Sequence, residues 1–409
     1  MTNYERQKFI YGLLCRVYFD KAYCGIALND GIGTAPEGDR AFVTKVFYGV
    51  IEKNAYLDYA LSALVKQLPQ PKVALVMKIG LYQLYFTEQA PYAVVSASVD
   101  LVKSIGKKEV AGFVNATLKN YKKVRFPDKS DKNAYLSVFG GVPKWLAGKL
   151  IKQYGFDCAL EILTYKLTDK THIRNNPAVI SKEDFAAKYA LSEKSELGFF
   201  VTASEMKTMK PDEYTVQALS SMKAAEMYLE GLTEGKILDV CAAPGGKSVY
   251  MAQSGEYEVT ACDIHPHRVE LIKKYAARMK AANVTAILND AQKDKPEWHE
   301  RFDVVVCDVP CSGIGVTRSK PDVLLNRKES DIPVLVATQK KILRTSASYV
   351  KPDGRLCYST CTLLKEENRR VIDDFLDLNS SFELVRDKTL LPQTDGCDGF
   401  YVAVMRRKL

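Results

Sequence analysis

The sequence predicts a multidomain protein: an all-α N-terminal helical bundle, a small α+β middle region and a C-terminal α/β domain of Rossmann-like topology. The chain has 409 residues, which is too long for one ordinary core. Apolar residues recur at helical spacing through its first part. After about residue 225, short apolar runs alternate with helical patterns, as in a parallel sheet covered by helices. We expect domains at residues 1–128, 129–225 and 226–409.

The composition is that of a globular protein with a polyanionic partner. Hydrophobic residues make up 47% of the chain, and no apolar run is long enough to cross a bilayer. The N-terminus lacks the core of a signal peptide, so we expect a cytoplasmic protein without a membrane partner. In that compartment the ten cysteines are expected to be free, catalytic or metal-bound rather than paired. The net charge of +9 favours a polyanion, and a monomer is the default expectation.

Residues 1–128 predict a bundle of about six or seven helices, because strand patterns are scarce and apolar positions follow helical spacing. Glycines 31, 33 and 38 and prolines 69, 71 and 91 mark breaks between helices. The end of this region is strongly basic and is either a solvated helix face or a nucleic-acid surface. Its cationic residues are Lys103, Lys107, Lys108, Lys119, Lys122, Lys123, Arg125 and Lys129.

The middle region begins with a polar stretch, residues 127–133, that is typical of a linker. A helix is expected around Trp145. Residues 171–176 predict an edge strand that ends at Pro177. The runs 199–201 and 214–217 are too short to assign.

A loop of small residues follows the first strand of the C-terminal domain. Residues 237–240 predict a buried strand, residues 241–246 carry no bulky side chain, and a helix can start at Lys247. This succession is typical of a nucleotide-type site at the carboxyl end of a strand. The order Gly-Gly-Lys-Ser suggests a phosphate loop, but Cys241 occupies the place of its first glycine. An ordinary strand-to-helix turn is the other alternative.

Acidic residues end the next two predicted strands, residues 257–263 and 284–290. Asp263 lies about twenty residues beyond the glycine loop, where an acid can accept the two hydroxyls of a ribose, and Arg268 lies about one turn into the next helix. Asp290 is a candidate acceptor for the exocyclic amine of adenine. For both acids, a helix or turn cap is the alternative interpretation.

Residues 302–313 predict a fourth strand with its exit loop, and residues 354–362 predict a fifth strand; both place polar residues, cysteines among them, at carboxyl strand ends. The spacing Cys307-x-x-x-Cys311 and Cys357-x-x-x-Cys361 is compatible with zinc. Because Cys307 and Cys357 lie inside apolar strands, they cannot easily turn toward a shared metal, so we expect none. A redox pair and inert buried thiols are further alternatives. Residues 383–385 and 400–405 predict an antiparallel pair that closes the sheet.

The favoured interpretation of these loops is covalent catalysis on cytosine. Carbon 5 of the ring becomes nucleophilic toward a methyl sulfonium once a thiolate has added to carbon 6. This chemistry needs a low-pKa cysteine and an acid near N3, roles suited to Cys361 and Asp308. Cys311 is placed to assist release of the thiol.

Four motifs resemble the Nol/Nop/Sun family of AdoMet-dependent RNA cytosine-5 methyltransferases: Cys-Ala-Ala-Pro-Gly-Gly-Lys at 241–247, Asp-Val-Pro-Cys-Ser-Gly at 308–313, Tyr-Ser-Thr-Cys-Thr at 358–362 followed by Glu367-Asn368, and Asp-Gly-Phe at 398–400. The resemblance implies a class I methyltransferase fold, with Cys361 as nucleophile and Cys311 as release cysteine. It also implies an AdoMet and cytosine pocket whose members are Cys241, Ala242, Ala243, Pro244, Gly245, Gly246, Lys247, Asp263, Asp290 and Asp308, supported by Arg268 and Pro310.

Four N-terminal segments resemble the NusB-like RNA-binding domain: residues 39–44, 48–51, 80–84 and 112–118. The whole chain is therefore similar to the RsmB (Sun, Fmu) type of the family, which implies 16S rRNA as substrate. A methyltransferase of tRNA or 23S rRNA is one alternative, and a non-catalytic NusB-like RNA-binding or antitermination factor is another. The middle region resembles the family's pre-domain, where Arg174 either contacts RNA or is an ordinary surface arginine. Val309 and Thr362 replace a usual Ala and a frequent Ser, and Cys397 has no physical account.

Overall fold

The computed structural model describes residues 1–166 and 168–409. Packing divides the chain into two units: Met1–Thr164 with Thr317–Glu329, and Tyr165–Val316 with Ser330–Leu409. Across these described ranges, no helix combines the length and the apolar character that crossing a membrane requires.

The first unit is helical, and the predicted all-α bundle is confirmed. Helix α5 lies at its centre, because almost every side chain from Leu75 to Leu84 is buried. Six or seven helices are expected in residues 1–128, and the structure has seven α-helices there. Three more follow before residue 165. They are α1 (Asn3–Tyr18), α2 (Cys24–Ile32), α3 (Glu37–Glu52), α4 (Asn54–Leu64), α5 (Pro71–Phe86), α6 (Pro91–Ser104), α7 (Ala111–Lys119), α8 (Lys132–Gly140), α9 (Lys144–Tyr154) and α10 (Phe156–Thr164).

The segment Thr317–Glu329 belongs by packing to this helical unit, although its sequence neighbours belong to the other. The Cys24 thiol donates a hydrogen bond to the buried Asp322 carboxylate, with 2.7 Å between Sγ and Oδ1. Arg318 Nη2 donates to the carbonyl oxygen of Leu163 at 3.0 Å, and Leu325 packs against the bundle core. Nothing in the local sequence pattern predicts this excursion, because tertiary contacts alone define it.

A three-stranded antiparallel sheet forms the start of the second unit. In chain order the elements are β1 (Thr171–Asn175), α11 (Lys182–Lys188), β2 (Phe199–Val201), α12 (Ala203–Met206) and β3 (Tyr214–Val216). The strands lie in the order β2-β1-β3, and the two short helices lie between them in the sequence. The prediction of an edge strand at residues 171–176 is wrong, because β1 is the central strand. Pro177 lies beyond its last paired residue and removes no hydrogen bond from the ladder.

The second unit also contains a mixed seven-stranded sheet. The strand order is β6-β5-β4-β7-β8-β10-β9, with the first five parallel and β10 antiparallel to both of its neighbours. The Rossmann-like prediction and the closing antiparallel pair are confirmed. The elements are α13 (Leu219–Leu229), β4 (Glu234–Asp239), α14 (Gly246–Gln253), β5 (Glu256–Asp263), α15 (Pro266–Arg278), β6 (Val284–Leu288), β7 (Phe302–Asp308), α16 (Val323–Asn326, within the excursion), α17 (Asp331–Ala347), β8 (Val350–Thr360), α18 (Arg369–Leu378), β9 (Phe382–Leu390), α19 (Pro392–Asp395) and β10 (Phe400–Arg407).

Helices cover both faces of this sheet, which explains why its central strands are continuous apolar runs. Leu238 and Val305 pack with residues of α17 and α18. Ile237 and Val304 alternate with them and pack with residues of α13 and α14. Strand order reverses beside β4, so the carboxyl ends of β4 and β7 border the crevice where such sheets bind ligands.

Candidate active site

The small-residue loop joins β4 to α14 and is fixed by its own backbone. Gly245 has φ of +107°, a conformation that disfavours any residue with a Cβ. Its N–H donates to the carbonyl of Ala242 at 2.7 Å, and the N–H of Ala242 donates to Cys262 of the neighbouring strand at 2.7 Å. The peptide bond between Ala243 and Pro244 is cis. The loop therefore presents a bare, rigid backbone at the carboxyl end of the sheet.

Asp263 ends β5 and Asp290 lies two residues beyond the end of β6, and each closes a turn with one of its oxygens. Asp263 Oδ1 accepts the N–H of His265 at 2.9 Å, and Asp290 Oδ1 accepts the N–H of Gln292 at 3.0 Å. The other oxygen of each faces a cation at 3.8 Å, Arg268 for Asp263 and Lys293 for Asp290. The capping role is thus present, and one oxygen of each carboxylate remains as an acceptor.

Asp308 and Lys247 form a charged pair at the crossover point. Lys247 Nζ donates to Asp308 Oδ2 at 2.7 Å, and its side chain is largely buried. The hydroxyl of Ser359 on β8 donates to Asp308 Oδ1 at 2.8 Å. Both oxygens of Asp308 are therefore fixed, and the carboxylate cannot rotate freely. Ser359 belongs to the motif at 358–362, but sequence analysis gave it no role of its own, because its contact with Asp308 follows from the parallel register of β7 and β8.

Cys311 and Cys361 face each other, with 3.3 Å between their sulfur atoms. They meet because their loops follow β7 and β8, which are adjacent and parallel. The hydrogen bond to Cys361 and burial raise the pKa of Cys311 well above its usual range. Cys311 thus keeps its proton, which it can donate to the sulfur of Cys361. The pair is reduced, as are the other cysteines of the described chain.

The residues that follow the two cysteines are also joined. The hydroxyls of Ser312 and Thr362 lie 2.7 Å apart. Asn368 Nδ2 donates to the carbonyl oxygen of Thr362 at 2.9 Å, and Thr360 donates to Asn368 Oδ1. Thr362, which departs from a frequent Ser, keeps the hydroxyl that this contact needs. The loops are therefore braced against each other immediately beside the sulfur atoms.

Known proteins share both the catalytic and the helical parts of this chain. The family model of the 16S rRNA methyltransferase RsmB/F matches residues 226–406, and the NusB family model matches residues 5–123. The probable ribosomal RNA small subunit methyltransferase B of Bacillus subtilis (strain 168) is 32% identical over 97% of each chain. The chain belongs to the ribosomal RNA small subunit methyltransferase B family.

Other relatives agree with this assignment. The ribosomal RNA small subunit methyltransferase B of Xanthomonas campestris pv. campestris is 28% identical over 91% of this chain and 90% of its own. Among solved structures, the crystal structure of PH0851 superposes with a TM-score of 0.81, at 20% identity, over 98% of this chain and 99% of that one. At this identity the superposition shows the shared fold only.

Some residues in and around the sequence motifs lie in the protein core rather than at the candidate site. Cys307 and Cys357 are fully buried within their strands, and burial raises the pKa of Cys307 to about 12. Val309, which departs from the usual Ala, packs in the apolar core, and Cys397 is buried in the apolar cluster around Phe400. Within residues 1–166 and 168–409, no group of three or more His, Cys, Asp or Glu side chains is arranged to hold a metal ion.

Two further residues differ from expectation. Arg174 is 3% exposed and bonds to Gln217 Oε1 at 2.8 Å and Gln253 Oε1 at 2.9 Å, so the surface-arginine interpretation is wrong. Gln217 Nε2 in turn donates to the carbonyl oxygen of Gly246 at 3.1 Å, which ties β3 to the start of α14. Asn289, just before Asp290, is buried, and its Nδ2 has no hydrogen-bond partner among the described residues. Sequence analysis gave this donor no role.

Proposed function

We propose that this chain is an AdoMet-dependent RNA methyltransferase that forms 5-methylcytosine in 16S rRNA through a covalent adduct between Cys361 and carbon 6 of the base. The observation that carries the proposal is the convergence, at one edge of the sheet, of two cysteines 3.3 Å apart with a carboxylate held by a lysine at 2.7 Å. Membership of the family supports the reaction class.

The residues at the carboxyl ends of β4, β5 and β6 fit AdoMet. The small-residue loop, with Gly245 at φ +107°, leaves the backbone open to close approach. Asp263 offers a carboxylate oxygen to ribose hydroxyls, with Arg268 beside it. Asp290 offers an acceptor, and Asn289 offers a buried donor that has no partner among the described residues. Loop residues 241–247 with Asp263, Arg268 and Asp290 would hold the cofactor, which supplies an electrophilic methyl group when bound.

Cys361 is the proposed nucleophile. Its thiolate adds to carbon 6 of cytosine, and the electron pair of the C5–C6 double bond shifts to form a C4–C5 double bond. The electron pair of the C4–N3 double bond moves onto N3, which takes up a proton. Lys247 and Asp308 form a short charge-assisted pair, so the ammonium can supply this proton to N3 through the carboxylate. Cys311 donates a hydrogen bond to the sulfur of Cys361, which favours the thiolate that must attack.

Release of the product needs a base for the proton on carbon 5. Once that proton is removed, its electron pair re-forms the C5–C6 double bond, the bond between C6 and Sγ breaks, and Cys361 leaves as a thiolate. The proton on N3 returns to the Asp308 carboxylate, which restores the C4–N3 double bond. Cys311 is the proposed assistant of this step, since its sulfur lies 3.3 Å from the departing sulfur. Because its pKa is raised, Cys311 keeps its proton and can donate a hydrogen bond to the thiolate of Cys361 as it leaves.

The first unit supports an RNA substrate. Lys103, Lys108, Lys119, Lys122 and Lys123 are exposed around the carboxyl end of α6 and around α7. Lys103 and Lys119, together with Tyr92 and Tyr121, line a cavity of about 730 Å³. Clustered cations neutralise phosphates, and exposed aromatic rings accept unpaired bases. We therefore propose residues 1–128 as an RNA-binding domain, residues 129–225 as a linker and middle RNA-binding subdomain, and residues 226–409 as the methyltransferase domain.

The deciding experiment is transfer of labelled methyl groups from AdoMet to unmodified 16S rRNA, in parallel with tRNA and 23S rRNA. Wild type is compared with Cys361→Ala and with Cys15→Ala, a half-buried thiol in the other unit. We expect label in 5-methylcytidine of 16S rRNA, lost in Cys361→Ala with AdoMet binding intact and unchanged in Cys15→Ala. Label in another RNA would reject the substrate and keep the chemistry. Equal loss of methylation and AdoMet binding in Cys361→Ala would make this cysteine structural.

A further inference from the structure

Glu367 is a fully buried carboxylate that the chemistry above does not use. Its Oε1 accepts the backbone N–H of Ser312 at 2.8 Å and Nε2 of Gln339 at 3.0 Å. Its Oε2 accepts the hydroxyl of Ser312, and its carbonyl oxygen accepts the hydroxyl of Tyr358. A buried carboxylate is costly unless its oxygens are bonded in this way, so the arrangement constrains every group around it.

These contacts hold the residues immediately before and after Cys311 in the sequence. Ser312, which follows it, is held through both its N–H and its hydroxyl. Pro310, which precedes it, is held through its carbonyl oxygen by Gln339 Nε2 at 3.0 Å, and Gln339 is itself bonded to Glu367. The position of the Cys311 loop backbone therefore depends on the position of the Glu367 carboxylate.

The same carboxylate reaches the Cys361 loop. The hydroxyl of Ser312 contacts both Glu367 Oε2 and Thr362 Oγ1, and Thr362 directly follows Cys361. Asn368, the neighbour of Glu367, holds the carbonyl oxygen of Thr362. The residues beside both cysteines are thus held by one hydrogen-bonded network that contains Glu367.

We propose that Glu367 is a positioning residue that sets the distance between Cys311 and Cys361 and thereby the rate of adduct release. The inference rests on the proposed function for the meaning of that step. Glu367 does not touch the base or the methyl donor in this scheme, and it acts by the reach of its side chain rather than by its charge. A displacement of the Cys311 loop of about 1 Å is enough to slow release by about 10- to 100-fold.

Two conservative substitutions separate reach from charge. Glu367→Asp keeps the charge but withdraws the carboxylate by about 1.5 Å, one carbon–carbon bond. Glu367→Gln removes the charge but keeps the reach: its oxygen can accept from Ser312 and Gln339, and its NH₂ can donate to the Ser312 hydroxyl, which then donates to Thr362. Glu366→Gln, at the partly exposed neighbouring residue, is the matched control.

The first measurement is the fraction of enzyme trapped as a covalent protein–RNA adduct on a denaturing gel during turnover. We expect Glu367→Asp to accumulate adduct, with release slowed about 10- to 100-fold. Glu367→Gln and the control should remain within about twofold of wild type, and AdoMet affinity should not change in any variant. Slowing in Glu367→Gln but not in Glu367→Asp would show that charge is what matters and would overturn the proposal, as would wild-type behaviour in both.

A second measurement needs no RNA. A diazenedicarboxamide oxidant takes two electrons and two protons from a thiol pair and leaves a disulfide, and peptide mapping reports the Cys311–Cys361 link. We expect linking to slow in Glu367→Asp and to proceed at the wild-type rate in Glu367→Gln. Equal rates would refute the positioning role even if wild type methylated no RNA, so this failure is distinct from failure of the proposed function. If Glu367→Asp does not fold, Ser312→Ala, which removes only the hydroxyl contacts, should slow linking in the same direction.

Discussion

Asp239 provides a quantitative test, because it is a buried carboxylate whose pKa is raised. It ends β4 beneath the small-residue loop, is 1% exposed, and accepts a hydrogen bond from the Ser248 hydroxyl at 2.7 Å. Burial raises its pKa from an ordinary 3.8 to about 6, against the Ser248 bond, which lowers it. Asp239→Asn keeps the shape and the acceptor for Ser248 but carries no charge.

The expected effect follows from this shift. A rise from 3.8 to about 6 is about two pKa units, or about 3 kcal/mol at 1.36 kcal/mol per unit. Since the folded state binds the proton more tightly than the unfolded state, the stability that this group contributes is complete below pH 3.8 and is lost as the pH rises through 6. Because the unfolded carboxyl is already partly ionised at pH 4, the unfolding free energy of Asp239→Asn relative to wild type should rise by about 2.5 kcal/mol between pH 4 and pH 7.5.

Urea unfolding of both proteins at the two pH values measures this difference. The chain has two tryptophans, Trp145 in the first unit and Trp298 in the second. A Trp145→Phe background makes fluorescence report on the second unit, where Trp298 packs against Tyr349 with 5.7 Å between ring centroids. Any cost of the new amide is independent of pH and cancels between the two conditions. A relative stability that stays constant from pH 4 to pH 7.5 would refute the argument.

Two further predictions concern the chemistry. Lys247→Met removes a largely buried charge-assisted bond worth about 1.5–3 kcal/mol, so kcat/KM for methylation should fall by roughly 10- to 100-fold. Lys236→Met, which removes an exposed pair with Glu258 at 3.8 Å, should change kcat/KM less than about twofold, and a similar loss in both variants would contradict this role for Lys247. Cys311→Ala should accumulate the protein–RNA adduct on a denaturing gel, while the double variant with Cys361→Ala should show none. Adduct that persists in the double variant would mean that another residue is the nucleophile.

Periodicity was enough to predict the architecture wherever an element carries a long pattern. The helices of residues 1–128 and the alternating elements after residue 225 show such patterns over many residues. The strands of the small sheet do not: β2 and β3 span three residues each, and their pairing decides that β1 is central rather than at an edge. The excursion Thr317–Glu329 lay beyond prediction for a related reason, since a buried bond from Cys24 to Asp322 joins residues far apart in the sequence.

The active-site candidates divide in the same way. Motif positions such as Cys311, Cys361 and Lys247 are visible because their spacing is local, whereas Ser359, Asn289 and Gln339 gain their roles only from strands and helices that meet in space. Asp263 shows why local spacing cannot decide between a cap and a ligand: its Oδ1 closes a turn with His265, while Oδ2 remains an acceptor. A carboxylate has about four lone-pair sites on two oxygens, so one residue can perform both tasks. The cap fixes the side chain in place, and because it is fixed its second oxygen can bind a ligand without first losing conformational freedom.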